Sequence, residues 1–299
     1  MTDRIYRYFT AIAQHRSMRD AADSLNIEQS ALSRQLAKLE ADFDTILFAR
    51  HSRGITLTQA GEVYLRYARE QLAQENAVRS ELDALKGLND GTLRIHAIES
   101  LARSILPGIL VAFREQRPGI RYRVTIAGSD EIARTVREVG TDIGISYYSL
   151  PSPDIEIRAI AREPLVAIVS TGHPLAKKAQ IDLREAAAFP IALTEKNSRS
   201  RNLIETACWQ AGVSFSSVLE TNSVELLTGF VEHSMGVTFL LRFSALHGLQ
   251  SKTLAAVPIR SEILNIGAIE ALTRTSRSLS AVGEEFLAFL GASLSVFPV

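Results

Sequence analysis

The densest recognition chemistry in the sequence lies between residues 29 and 38. Gln29, Ser30, Ser33, Arg34 and Lys38 fall on one side of a helical period whose other side carries Ala31, Leu32, Leu36 and Leu39. Amides and hydroxyls can pair with base edges. A guanidinium fork matches the two acceptors of guanine, and cations suit phosphate. A second basic cluster, Arg50-His51-Ser52-Arg53-Gly54, precedes Ile55-Thr56-Leu57, which alternates like a strand. A basic turn on a small hairpin can grip phosphate or enter a minor groove, a role that suits Arg53. Arg50 serves that role or supports the hairpin through a local ion pair. The bland alternative for the first group is a solvated helix face.

Catalytic chemistry is much less evident. The histidines stand at 15, 51, 96, 173, 233 and 247, without the spacing of a metal site. No nucleophile elbow, phosphate loop or dinucleotide fingerprint occurs. The one cysteine, Cys208, lies beside Trp209 in a partly apolar helical stretch, where a buried structural thiol is expected. The expectation is therefore no enzyme, no metal and no cofactor. Thirty-three basic residues balance 33 acidic ones, so any nucleic-acid contact must come from a local patch. No export signal opens the sequence, and its longest apolar runs, such as Leu165–Val169 and Val237–Leu241 (which includes a threonine), are too short for a bilayer. A soluble, cytoplasmic protein with no membrane partner is expected.

The elements that must position these residues come in three segments. Residues 1–58 read as short helices with tight turns. Ile5, Tyr8, Phe9, Ile12 and Ala13 form one apolar stripe, Ser17 is a candidate N-cap, and Asn26 breaks a second helix before a third runs from Gln29 to Asp42. Residues 59–90 read as one long helix with a narrow stripe, Leu65, Ala68 and Leu72 and then, after a phase slip near Glu75-Asn76, Val78, Leu82 and Leu85, suited to pairing with a second copy. Gly87 and Gly91 bracket its end. From Thr92 strands and helices alternate, which argues for an α/β sheet. The strands expected are 93–98, 122–127, 142–147, 165–170, 237–241 and 264–272. The helices expected are 100–116, 130–138, 201–211, 224–233 and 281–290.

The landmarks Ser17, Ala21-Ala22, Leu25, Gln29-Ser30-Ala31-Leu32-Ser33-Arg34, Leu39-Glu40, Leu47-Phe48, Arg50, Leu57-Thr58 and Ala60-Gly61 resemble the LysR-type transcriptional regulators. Leu106-Pro107, Arg117-Pro118-Gly119, Asp142-Ile143-Gly144-Ile145, His173-Pro174-Leu175-Ala176 and Gly236-Val237 are similar to that family's effector domain, so the resemblance spans nearly the whole chain. Four features depart from the family pattern. Asp44 stands where glycine is usual, Glu28 where a serine or threonine cap is common, and His96 at a site often held by glycine. No proline follows Gly236–Leu240.

The resemblance implies an α/β protein with an all-α-type winged helix-turn-helix at residues 1–58 and a dimerisation helix at 59–90. It also implies a two-lobed periplasmic-binding-protein-like (type 2) α/β domain at 91–299. The first lobe would comprise 91–162 and 266–299, the second 163–265. The implied partners are an interrupted palindrome of double-stranded DNA, a small-molecule effector of unknown identity, further copies in a homodimer or homotetramer, and RNA polymerase. DNA contact falls on Gln29, Ser30, Ser33, Arg34, Lys38, Arg50 and Arg53.

Effector contact is placed in the cleft at strand ends and helix N-termini, where free N–H groups and the dipole favour anions. The candidates are Glu99, Ser100, Ser129, Thr194, Asn197, Ser198, Arg201 and Asn222, and the serines and Asn222 serve equally as plain helix caps. Glu99 facing Arg199 and Arg201 would hold a mixed-charge ligand, or these groups are ordinary surface ion pairs. Two other classes remain to be weighed: an enzyme, and a transport solute-binding protein, for which residues 1–88 would have no use.

Overall fold

The computed structural model describes residues 3–15, 17–51, 54–85, 91–275 and 278–296. The chain forms two compact units, Met1–Gly87 with Glu138–Gly140 and Leu88–Arg137 with Thr141–Val299. The expected glycine-bracketed break at 87–91 lies largely outside the described residues.

In the N-terminal unit α1 (Asp3–His15), α2 (Met18–Ser24) and α3 (Gln29–Asp42) precede a hairpin of β1 (Phe48–His51) and β2 (Gly54–Leu57), then α4 (Gln59–Leu85). The Ser17 hydroxyl accepts the Asp20 N–H at 3.4 Å and caps α2. Asn26 turns the chain into α3 at φ +53°, a left-handed conformation that asparagine tolerates. Phe9, Ile12, Leu32, Leu36 and Leu39 are buried together, each side chain contributing about 1.5–3 kcal/mol.

The first turns of α4 belong to the same core. Tyr64, Leu65 and Ala68 are buried there, and the Tyr64 ring lies 4.6 Å from that of Phe9. The division expected at residue 58 therefore cuts through packed side chains. Gly61 makes the approach possible, because a Cβ at that position would lie 2.0 Å from the Leu47 carbonyl oxygen. The Thr58 hydroxyl starts α4, donating to the Ile46 carbonyl at 2.8 Å and accepting the Gly61 N–H at 3.0 Å.

The C-terminal unit holds two five-stranded sheets. The first is ordered β4-β3-β5-β12-β6 and the second β11-β7-β10-β8-β9. The chain runs through β3 (Gly91–Ala97), α5 (Glu99–Arg103), α6 (Leu106–Gln116), β4 (Ile120–Ile126), α7 (Ser129–Arg137), β5 (Ile143–Tyr147) and β6 (Ile155–Arg162). It then enters the second sheet through β7 (Leu165–Ser170), α8 (Leu183–Ala186), β8 (Ile191–Thr194), α9 (Arg199–Ala211) and β9 (Ser217–Thr221). That sheet is completed by α10 (Val224–Glu232), β10 (Val237–Leu241), α11 (Leu246–Gln250) and β11 (Leu254–Val257). After α12 (Glu262–Asn265) the chain returns to the first sheet as β12 (Ala268–Arg274) and ends in α13 (Ala281–Val296).

Two expected elements are corrected. The helix expected over 100–116 breaks after Arg103, and Pro107 starts α6 afresh in its first turn, where a missing N–H costs nothing. The strand expected over 264–272 is α12 followed by β12, because Ser261 caps a helical turn by accepting the Leu264 N–H at 3.4 Å. β6, β8, β9 and β11 were not anticipated. β6 carries a legible alternation, Ile155-Glu156-Ile157-Arg158, whereas β8 and β11 are four residues each and too short to show a period.

Glu163 sits where the chain first crosses between the sheets. Its N–H donates to the Gly267 carbonyl at 3.0 Å, its carbonyl accepts the Tyr147 hydroxyl at 3.1 Å, and its carboxyl accepts the Arg242 N–H at 3.0 Å. Burial pushes the carboxyl up to about 7, against the opposing pull of the Arg242 N–H. The folded chain therefore retains a proton that the unfolded chain releases near its ordinary value of 4.5. The resulting stability is full below that value and is lost as pH rises toward 7, by about 3 kcal/mol in all. Thermal unfolding should find Glu163→Gln similar to wild type at pH 5 and more stable at pH 8. An equal difference at both pH values would show that ionisation is not the cause.

Candidate functional sites

In the N-terminal unit, α3 presents the polar face anticipated for it. Gln29, Ser30, Arg34 and Lys38 are exposed and Ser33 is half-buried, while Leu32, Leu36 and Leu39 face the core. No side-chain partner within the described residues engages any of the five. Glu28 occupies the N-cap without a side-chain bond to the helix, so first-turn N–H groups remain open to a phosphate. The hairpin pairs Arg50 with Ile55 in register. Arg53 lies outside the described residues, as does the Arg50 side chain.

Glu40 was a landmark without an assigned role, and the structure supplies one. Its carboxylate accepts the N–H groups of Leu47 at 2.8 Å and Phe48 at 3.1 Å, tying α3 to the start of the hairpin. Asp44 makes the intervening turn at φ +46°. The position favours glycine, and aspartate is among the residues that tolerate it.

In the C-terminal unit a cleft of 620 Å³ opens between the ends of the two sheets. Seven of the expected effector residues line it: Glu99, Ser100, Ser129, Thr194, Asn197, Ser198 and Asn222. Four helices start at its walls. Ser198 caps α9, accepting the Arg201 N–H at 3.1 Å, and donates to the Thr194 hydroxyl at 2.7 Å. Ser200 joins them at 3.2–3.3 Å, giving a cluster of three hydroxyls. The Ser129 hydroxyl accepts the Tyr147 N–H at 3.3 Å. Ser223 caps α10, and the Glu99 carboxylate accepts the Val224 N–H at 3.0 Å.

Arg201 requires correction. It is buried and does not line the cleft. Its guanidinium donates to Glu205 at 2.7 Å, to the Thr194 carbonyl at 2.9 Å and to Glu220 at 3.0 Å, which makes it a brace for α9 and β9. Arg199 does line the cleft, ion-paired with Asp130. Glu99 thus accepts a backbone N–H while the two arginines pair with other carboxylates. His96, one of the departures from the family pattern, lies mid-strand on β3 and does not line the cleft. Burial lowers its pKa. The cleft residues not anticipated include Ile126-Ala127-Gly128 and Leu240-Leu241. All follow or end strands, a position that sequence reasoning marks as a ligand crevice only once the strands are known.

Residues 4–62 match the family described as "Bacterial regulatory helix-turn-helix protein, lysR family". Residues 86–295 match the "LysR substrate binding domain". The chain belongs to the LysR family. It is a DNA-binding transcription regulator with an effector-binding domain. Among curated relatives of this regulator, the "HTH-type transcriptional regulator CbbR" of Rhodospirillum rubrum is 28% identical over 292 residues, covering 95% of this chain and 94% of the relative. Among solved structures, a full-length OxyR variant of Pseudomonas aeruginosa superposes with a TM-score of 0.77 at 21% identity, covering 98% and 94% of the two chains. Full-length CbnR complexed with its target DNA gives 0.64 at 22% identity, covering 98% and 100%. The helix-turn-helix match removes the transport-protein reading, and the named relative is a regulator rather than an enzyme.

Among the described residues, no helix is long and apolar enough to cross a membrane, and no group of three or more His, Cys, Asp or Glu could hold a metal ion. Cys208 is buried in α9 of the regulator, and burial pushes its thiol up to about 11. In the native state at pH 8 it should react with a disulfide reagent orders of magnitude more slowly than after unfolding. A native rate equal to the unfolded one would show the thiol to be open. For Glu40→Ala, which strands two N–H groups, loss of about 2 kcal/mol in denaturant unfolding is expected, and Glu40→Gln should lose less. No loss in the alanine variant would remove Glu40 from the hairpin's support.

Proposed function

We propose that residues 1–58 read DNA through α3 and the hairpin, that 59–90 pair two copies, and that 91–299 sense a small molecule between lobes 91–162 plus 266–299 and 163–265. The observation that carries the DNA reading is the α3 face, five polar side chains without partners among the described residues, beside a helix N-terminus that no side chain caps. Arg34 is the base reader, with Gln29, Ser30, Ser33 and Lys38 dividing base and phosphate contact, and Arg50 and Arg53 on phosphate. The protein acts in the cytoplasm, with RNA polymerase as a further partner.

Two surfaces support a homodimer that pairs again into a homotetramer. On α4, Val63, Tyr67, Val78 and Leu82 are exposed at helical spacing, whereas Leu65 and Ala68 of the expected stripe are buried in the N-terminal core. The face proposed for pairing therefore keeps Val78 and Leu82 of the expected stripe and continues through Val63 and Tyr67 in place of Leu65 and Ala68. In the C-terminal unit β4 and β9 are edge strands, with Val124, Ile126 and Val218 exposed and Trp209 of α9 at 82% exposure. Two distinct self-pairing faces close as a tetramer, and a dimer demands an interrupted palindrome. Effector binding would then change the arrangement of the DNA-binding heads.

Gel shifts at two salt concentrations, with upstream DNA against scrambled DNA, test this reading. Arg34→Ala should cost about 1–3 kcal/mol on the specific site and little on scrambled DNA. Equal loss on both would reduce Arg34 to a phosphate contact. Absence of any selective shift by wild type would sink the proposal.

A further inference from the structure

The N-terminus of a helix facing a cleft attracts an anion when its N–H groups and dipole are unmet. In this cleft, three of the four helix starts already carry carboxylates of the chain itself. Glu99 lies in the first turn of α5, Asp130 and Glu131 in that of α7, and Glu225 in that of α10. The α10 start is filled most directly. Glu99 reaches across from α5 and its Oε2 accepts the Val224 N–H at 3.0 Å, while Arg103, one turn further along α5, pairs with Glu225 on the same turn of α10. A carboxylate so placed does for α10 what the anionic group of a ligand would otherwise do.

The remaining charges of the lining point the same way. Glu99, Glu131 and Glu195 are its acids. Arg199 is the one cation among the described lining residues, and Asp130 neutralises it. At the opposite end Thr194, Ser198 and Ser200 offer hydroxyls, the Arg199 Nε is buried without a hydrogen-bond partner among the described residues, and the α9 start carries no acid in its first turn.

We infer that Glu99 is a specificity-determining residue, a resident carboxylate that excludes anions from the α10 end and selects there an uncharged or cationic group presenting a hydrogen-bond donor to its other oxygen. This rests on the reading of the cleft as the effector site. The ligand class follows from which groups are already neutralised. An incoming carboxylate would have to displace Glu99 from the Val224 N–H and face Glu131 and Glu195 without an unpaired cation. An amine, amide or hydroxyl meets an acceptor instead.

Succinate and its neutral isostere succinamide, titrated against the full-length protein at constant ionic strength, test the inference by thermal shift. Wild type should not prefer succinate. Glu99→Ala vacates the α10 start and should lower the half-saturating succinate concentration at least tenfold. Glu99→Gln, which keeps an acceptor for the Val224 N–H, should lower it less, and decides the matter if the alanine variant does not fold. A tenfold preference of wild type for succinate, or no gain in the variants, overturns the inference. Adding Ser129→Trp to block the cleft should abolish the gain. If the gain survives the block, the anion sits elsewhere, and the cleft assignment itself is what fails.

Discussion

The cleft of the C-terminal unit exists because the chain crosses between its two sheets side by side, and a few bonds around Glu163 keep the crossings together. The Glu163 N–H meets the Gly267 carbonyl of the returning strand, and the Tyr147 hydroxyl meets the Glu163 carbonyl. Gly267 must be glycine for this packing, since a Cβ would stand 1.8 Å from the Tyr147 oxygen. The Glu163 carboxyl then holds the Arg242 N–H at the end of β10. The two sheets thus share one buried junction, and the strand ends and helix starts that converge around it form the walls of the cleft.

The N-terminal unit solves a different problem with the same economy of parts. Its reading helix must be held rigidly while its outer face stays unsatisfied. Leu32, Leu36 and Leu39 fix α3 from beneath, Glu40 ties its last turn to the hairpin, and Gly61 lets α4 press against Leu47. Rigid support below and unpartnered polar groups above are what recognition by hydrogen bonding requires, because every group engaged internally is one less for a base or phosphate.

Electrostatics distinguish the two units. At α3 the helix N-terminus has no capping side chain and stays open to phosphate. At the cleft the corresponding positions are occupied by the chain's own carboxylates, with Glu99 set on the start of α10. The same backbone physics thus leaves one helix start without a side-chain cap and fills another with a carboxylate of the chain.

Much of this was legible from residue order. Local patterns with a period or a cap declared themselves: α3 over Gln29–Asp42, the Ser17 cap, the turn at Asn26, and the strands β7 and β10 at their observed bounds. Seven of the eight proposed effector residues line one cleft, since strand ends and helix caps are local features. What depended on which partners the fold brings together was not legible. Beyond Glu205, its neighbour one helical turn on, the Arg201 guanidinium belongs to Glu220 and the Thr194 carbonyl rather than to the cleft. Likewise, only packing shows that Leu65 and Ala68 face the N-terminal core while Val63 and Tyr67 are left outside. A helical or alternating period states that a face exists. Only the folded chain decides what covers it, and only that choice determines whether a charge is bound internally or remains for a ligand.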